Sequence, residues 1–122
     1  MAKKILIVDD ERDIVEVVRM RLETRGYEVF AAYNGRQGLE RVKDVMPDLI
    51  ILDIMMPEIN GSTLCGMLKF DERYKHIPIV MLSVKARDID REIGGKVKAD
   101  AYLTKPFEAQ QLIEIVNNLI GE

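Results

Sequence analysis

Short apolar runs alternate with amphipathic helical patterns five times along this chain, and that alternation constrains the fold more than any other feature. The strand-like runs fall at residues 4–8, 28–32, 49–52, 79–82 and 101–104. The helical patterns fall at 12–25, 35–45, 61–71, 88–98 and 108–120. Strand and helix in regular succession imply parallel strands joined by right-handed crossovers. Ile5-Leu6-Ile7-Val8, Leu49-Ile50-Ile51-Leu52 and Ile79-Val80-Met81-Leu82 are apolar at every position, as strands buried on both faces are. The expected fold is therefore α/β, a doubly wound parallel sheet with helices on both faces. Gly26, Pro47-Asp48, Asn60-Gly61 and Pro78 punctuate the elements. Ile14, Val17, Val18, Met20 and Leu22 supply the apolar positions of the first helix, and Gly94-Gly95 weakens the fourth.

Four of the runs end on chemically active residues. They lead into Asp9-Asp10, Asp53, Ser83 and Lys105. In a parallel sheet all four ends open on one edge, and open α/β sheets bind ligands in the crevice there. Three carboxylates within a few ångströms oppose one another's ionisation. A hard divalent cation such as Mg²⁺ relieves this, taking one or two carboxylates, waters and a phosphate. Lys105 relieves it as a point charge. An ionised carboxylate is also a nucleophile toward phosphorus, and phosphoryl transfer needs mostly positioning and charge neutralisation. Asp10, Ser83 and Lys105 can supply these around Asp53. Taken singly, Asp9-Asp10 reads as a helix cap and Asp53 as a strand-end residue; their joint order along the chain points to a site.

Composition narrows the function. A chain of 122 residues, 48% hydrophobic, is expected to be one domain over residues 1–122. A net charge of −3 gives no nucleic-acid footprint. No run of about 18 apolar residues exists to span a membrane, and the first apolar run is too short for a signal-peptide core. The single Cys65 fits a cytoplasmic protein and reads as a small buried residue on a helix. His76, before Pro78, reads as a solvated turn residue, and Met67 and the other methionines as core filler.

The chain resembles the receiver domains of bacterial two-component response regulators over essentially all of its length. The resemblance rests on Ile7-Val8-Asp9-Asp10-Glu11, on Leu52-Asp53-Ile54-Met55-Met56-Pro57 with Asn60-Gly61, on Met81-Leu82-Ser83, and on Ala99-Asp100-Ala101-Tyr102-Leu103-Thr104-Lys105-Pro106-Phe107. It implies a flavodoxin-like five-stranded sheet in the order 2-1-3-4-5. It implies a signalling switch rather than an enzyme with a separate substrate. Asp53 is the implied phosphoacceptor, charged by a sensor histidine kinase or a phosphotransfer protein in a phosphorelay. Asp10 is the implied direct Mg²⁺ ligand, with Asp9 acting directly or through water, and with Asp53 and the Met55 backbone carbonyl completing the set. Ser83 and Lys105 would contact the phosphoryl oxygens, and the Lys105–Pro106 bond would be cis. Phosphorylation adds about −1.5 to −2 charge. Ser83 would move toward it, and Tyr102 would swing into the vacated space; the plainer alternative is a partly buried Tyr102 with its hydroxyl in water. The readout face, for an output domain or partner protein, would be the fourth helix, the last strand and the last helix.

Two rivals fit less well. A haloacid-dehalogenase-type phosphohydrolase also uses an Asp nucleophile and Mg²⁺, but places a second Asp where this chain has Met55. A flavin-binding module needs a phosphate loop where Asp9-Asp10-Glu11 would repel phosphate. Within the receiver pattern three departures stand out. Gln111, Ile115 and Ala101 occupy positions that carry charges in receivers joined to winged-helix domains, so that charged dimer interface is not expected. If Leu112, Val116 and Leu119 face the core, then Ile113, Ile115 and Ile120 form either a partner surface or a broad buried stripe. Met55 and Lys85 stand where they would shield the attacking water. Val84 replaces the small residue usual after Ser83, and its branches would narrow access to Asp53. Val84→Ala is therefore expected to react faster than the wild type with small-molecule phosphodonors; equal rates would rule out the steric effect.

Overall fold

The computed structural model describes residues 2–83 and 99–121. The strands β1 (Lys4–Val8), β2 (Glu28–Ala32), β3 (Leu49–Asp53), β4 (Ile79–Ser83) and β5 (Ala101–Thr104) are all parallel. They form one sheet in the order β2-β1-β3-β4-β5. Four helices are described: α1 (Arg12–Glu23), α2 (Gly35–Val45), α3 (Gly61–Lys69) and α4 (Ala109–Ile120). The helix expected at 88–98 lies outside the described residues, as do Val84 and Lys85.

The consecutive apolar runs become intelligible through the period-2 pleat. Ile5, Ile7, Leu49, Ile51, Val80 and Leu82 point to one face, where Val15, Val18 and Leu22 of α1 and Leu112, Ile113 and Val116 of α4 cover them. Leu6, Val8, Ile50, Leu52, Ile79 and Met81 point to the other, covered by Val42 of α2 and Leu64, Cys65 and Leu68 of α3. Each central strand thus feeds two cores.

Burial corrects the expected face of α1. Val15, Val18 and Leu22 are buried, while Val17 is 54% and Met20 64% exposed. The helix turns its i, i+3, i+7 row inward, and residues 17 and 20 fall off that row. The helix also ends two residues early. Thr24 Oγ1 donates to the Arg21 carbonyl at 2.7 Å, and Gly26, at φ +92°, turns the chain back so that the Tyr27 N–H reaches the Leu22 carbonyl. α3 likewise ends at Lys69 rather than at 71. The methionines divide: Met56 and Met81 are buried, but Met20, Met46, Met55 and Met67 are largely exposed, so these four are not core filler.

On α4 the buried set is Leu112, Ile113, Val116 and Ile120, with Ile115 and Leu119 half-buried against the same core. The broad buried stripe is the observed alternative. Glu108 caps this helix, exchanging hydrogen bonds with Gln111 in a capping box.

Leu52 touches the α2–α3 core with no exposure. Leu52→Ala is expected to lower the unfolding free energy by about 2–5 kcal/mol. Met20→Ala should change it by less than about 0.5 kcal/mol. Urea unfolding of both variants checks this pair, and similar losses would contradict the burial pattern.

Candidate functional site

The strand ends are tied together by the last ladder bonds. The Asp9 N–H donates to the Ala32 carbonyl at 3.1 Å, Ile54 N–H to Leu82 carbonyl at 2.9 Å, and Lys105 N–H to Ser83 carbonyl at 2.6 Å. These bonds place Asp9, Asp53, Ser83 and Lys105 along one edge, at and beside the switch point between β1 and β3. β3 and β4 each run one residue further than expected, so Asp53 and Ser83 are the last residues of their strands rather than loop residues.

The loop after Asp53 is closed behind it. Met55 N–H donates to Asp53 Oδ1 at 3.2 Å, and Gly61 N–H to the Ile54 carbonyl at 2.9 Å. Asn60 caps α3 by accepting from the Thr63 N–H. A Cβ on Gly61 would overlap the Asp53 carbonyl oxygen and sit 2.8 Å from Ile54 Cα. The absence of a side chain there lets the start of α3 press directly against the backbone that carries Asp53.

Four carboxylates meet at this edge: Asp9, Asp10, Glu11 and Asp53 each offer an oxygen, all within 4.8 Å of one another. Asp9 and Asp53 are buried, whereas Asp10 and Glu11 are exposed. Lys105 faces them from just past the end of β5. Its Nζ lies 2.8 Å from Asp9 Oδ2, 3.0 Å from Glu11 Oε1 and 3.6 Å from Asp53 Oδ2. Asp9 Oδ1 also accepts the Glu11 N–H at 2.9 Å, which fixes the Asp9 carboxylate from both sides. Ser83 is fully buried at the end of β4, with Thr104 opposite it in register.

Burial pushes the Asp53 carboxyl up to about 7, and the charges of Asp9 and Asp10 add to the rise; Lys105 and the Met55 N–H oppose it without prevailing. Burial alone would lower Lys105, but its hydrogen bonds to Asp9 and Glu11 and the charges of Asp9 and Asp53 outweigh that and hold it above its ordinary value. One ammonium against four acids leaves anionic oxygen in excess. That donor set, all carboxylate and partly exposed, suits a hard divalent cation.

Each residue expected at the site has a definite place. Asp9, Asp10, Asp53 and Lys105 come together, Ser83 borders them on β4, and the Lys105–Pro106 peptide is cis. Met55 sits beside Asp53 through its backbone, and its side chain is mostly exposed. Tyr102 is half-buried against the α2–α3 core, and its hydroxyl accepts the Ala99 N–H at 3.0 Å. Glu11 joins the cluster as a fourth acid and a partner of Lys105, and its signal in the sequence is an acid directly after a strand-end acid pair.

The fold and the acidic edge together define a receiver-type phosphoacceptor module, and the comparisons agree. The sequence model of the response regulator receiver domain matches residues 5–117, and the chain belongs to that family. A protein of Picosynechococcus described as a probable transcriptional regulatory protein is 47% identical over 117 residues, covering 90% of this chain and 46% of that protein. The chain therefore spans about half the length of that curated relative. The chemotaxis response regulator CheY4 of Vibrio cholerae superposes with a TM-score of 0.89 at 30% identity, covering 98% of this chain and 100% of that one. The receiver domain of a signal transduction histidine kinase from Syntrophus aciditrophicus gives 0.88 at 35% identity, over 97% of this chain and 89% of that one. The chain is a phosphoacceptor module of two-component signalling. Nothing supports the phosphohydrolase reading: Met55 carries no acid–base group at the position that reading requires. Among the described residues, no helix is long and apolar enough to cross a membrane.

The raised Asp53 carboxyl has a consequence for stability. Between its ordinary value of 3.8 and about 7, the folded protein keeps this proton while the unfolded chain has lost it. The contribution of the protonated form is fully present below the lower value and is lost as pH rises through the upper one. Asp53→Asn removes that loss. In metal-free buffer the variant is expected to be more stable than wild type by at least about 1 kcal/mol near neutral pH and above, with the gap closing toward about pH 4. Urea unfolding across that range checks it, and a pH-independent gap would contradict the origin given for the shift.

Proposed function

We propose that Asp53 is the residue phosphorylated. The single observation that carries this reading is its position: a buried carboxylate at the end of β3, facing a lysine and three further acids. Ionised Asp53 attacks the phosphorus of a phosphohistidine on a sensor kinase or phosphotransfer protein. A P–O bond forms as the P–N bond breaks, and the electron pair returns to the imidazole, which takes a proton.

Asp9, Asp10 and Asp53, with the Met55 carbonyl, are the residues that would hold Mg²⁺. That ion would supply positive charge against the phosphoryl oxygens. Lys105 meets a further oxygen with its ammonium, and Ser83 donates its hydroxyl to another. The module acts on itself and on no separate substrate, and the 122 residues act as one signalling unit.

The added charge at Asp53 is read through Ser83 and Tyr102. On the pleat, Tyr102 lies on the same face as Ser83, opposite Met81 in register and one strand over. Movement of Ser83 toward the phosphoryl group opens room beside Met81 for the Tyr102 ring. The surface of β5 and α4 then carries the message to an output domain or partner protein.

Incubation with acetyl phosphate and Mg²⁺, followed by intact-mass measurement, tests the assignment. One labile phosphate adduct is expected on wild type and none on Asp53→Asn. An adduct that survives the substitution would overturn it.

A further inference from the structure

Lys105 is held by two carboxylates that differ in one respect. Asp9 is completely buried, and its second oxygen is occupied by the Glu11 N–H. It has nowhere to go. Glu11 is 55% exposed at its side chain, and at 3.0 Å it is the nearer of Lys105's other two acids; Asp53 is 3.6 Å away. Glu11 also opens outward, onto a cavity of about 610 Å³ between the start of α1 and the Lys105-Pro106-Phe107 turn. Its carboxylate is free to rotate into water where that of Asp9 is not.

We infer that Glu11 is a positioning residue that holds the Lys105 ammonium back from Asp53 until a phosphoryl group competes for it. This rests on the assignment of Asp53 as the phosphoacceptor. An exposed ion pair is weak, whereas a phosphoryl group brings about −1.5 to −2 charge and strong acceptor oxygens. Lys105 therefore exchanges Glu11 for the phosphoryl oxygen while keeping Asp9 as a fixed pivot. Glu11 sets how much of the lysine's charge is available when the phosphoryl group arrives. It touches neither the phosphorus nor the attacking oxygen.

The test compares phosphorylation rates with acetyl phosphate at saturating Mg²⁺. Glu11→Gln is expected to react about two- to fivefold faster than wild type, the range an exposed ion pair represents. Glu11→Asp keeps the charge but shortens the reach, and is expected to be faster too; a rate equal to wild type would reduce the effect to net charge and overturn the inference. In a Lys105→Ala background, Glu11→Gln should have no effect, because the interaction it relieves is gone. Circular dichroism confirms that each variant is folded. In metal-free protein, Glu11→Gln should also shift the side-chain ¹⁵Nζ signal of Lys105. An unchanged or slower rate, an effect that persists without Lys105, an unmoved Lys105 signal, or a severalfold rise in the Mg²⁺ half-saturation point, which would make Glu11 a metal ligand, would each overturn the inference. Loss of all adduct from wild type would instead overturn the assignment of Asp53.

Discussion

The contact on which the site depends is the Lys105 ammonium against Asp9. Two buried carboxylates, Asp9 and Asp53, sit at the ends of neighbouring strands, in a setting that opposes the ionisation of Asp53. Lys105 directly follows β5, at the sheet's edge, and reaches back to Asp9 at 2.8 Å. A buried charge without a partner is costly, and removing one member of such a pair leaves the other stranded. The pair therefore has a structural duty as well as a chemical one. It neutralises part of a cluster that the sheet forces together, and leaves the rest as attraction for a cation.

The surrounding fold serves that contact. Double-sided burial packs the central strands between two cores, and the parallel register sends all their ends to one edge. Lateral backbone bonds from Asp9, Ile54 and Lys105 hold those ends side by side. Gly61 lets α3 close against the loop behind Asp53. Precision at the site comes from strands and their ladder, with loops contributing backbone groups such as the Met55 N–H.

Much of this was legible in the sequence because the signals were redundant. Consecutive apolar runs marked the two-sided strands, and the acids, serine and lysine at their ends marked the edge. The exposure of Val17 and Met20 was less legible. Both fit an amphipathic pattern by residue type, and only the direction in which α1 meets the sheet selects Val15, Val18 and Leu22 instead. The α4 stripe was ambiguous for a similar reason: six apolar residues fit more than one face, and contact with β1, β3 and β4 decides among them. The pairing of Glu11 with Lys105 is not legible in the sequence, because the two residues lie 94 positions apart. A long-range ion pair leaves no local periodicity to read.

The most direct test of the central claim is where the phosphoryl group resides. Borohydride reduces an acyl phosphate on aspartate to homoserine, which survives digestion and peptide mass spectrometry. After phosphorylation and reduction, homoserine is expected at position 53 and at no other acid. Homoserine at position 9 or 10, with Asp53 intact, would contradict the account.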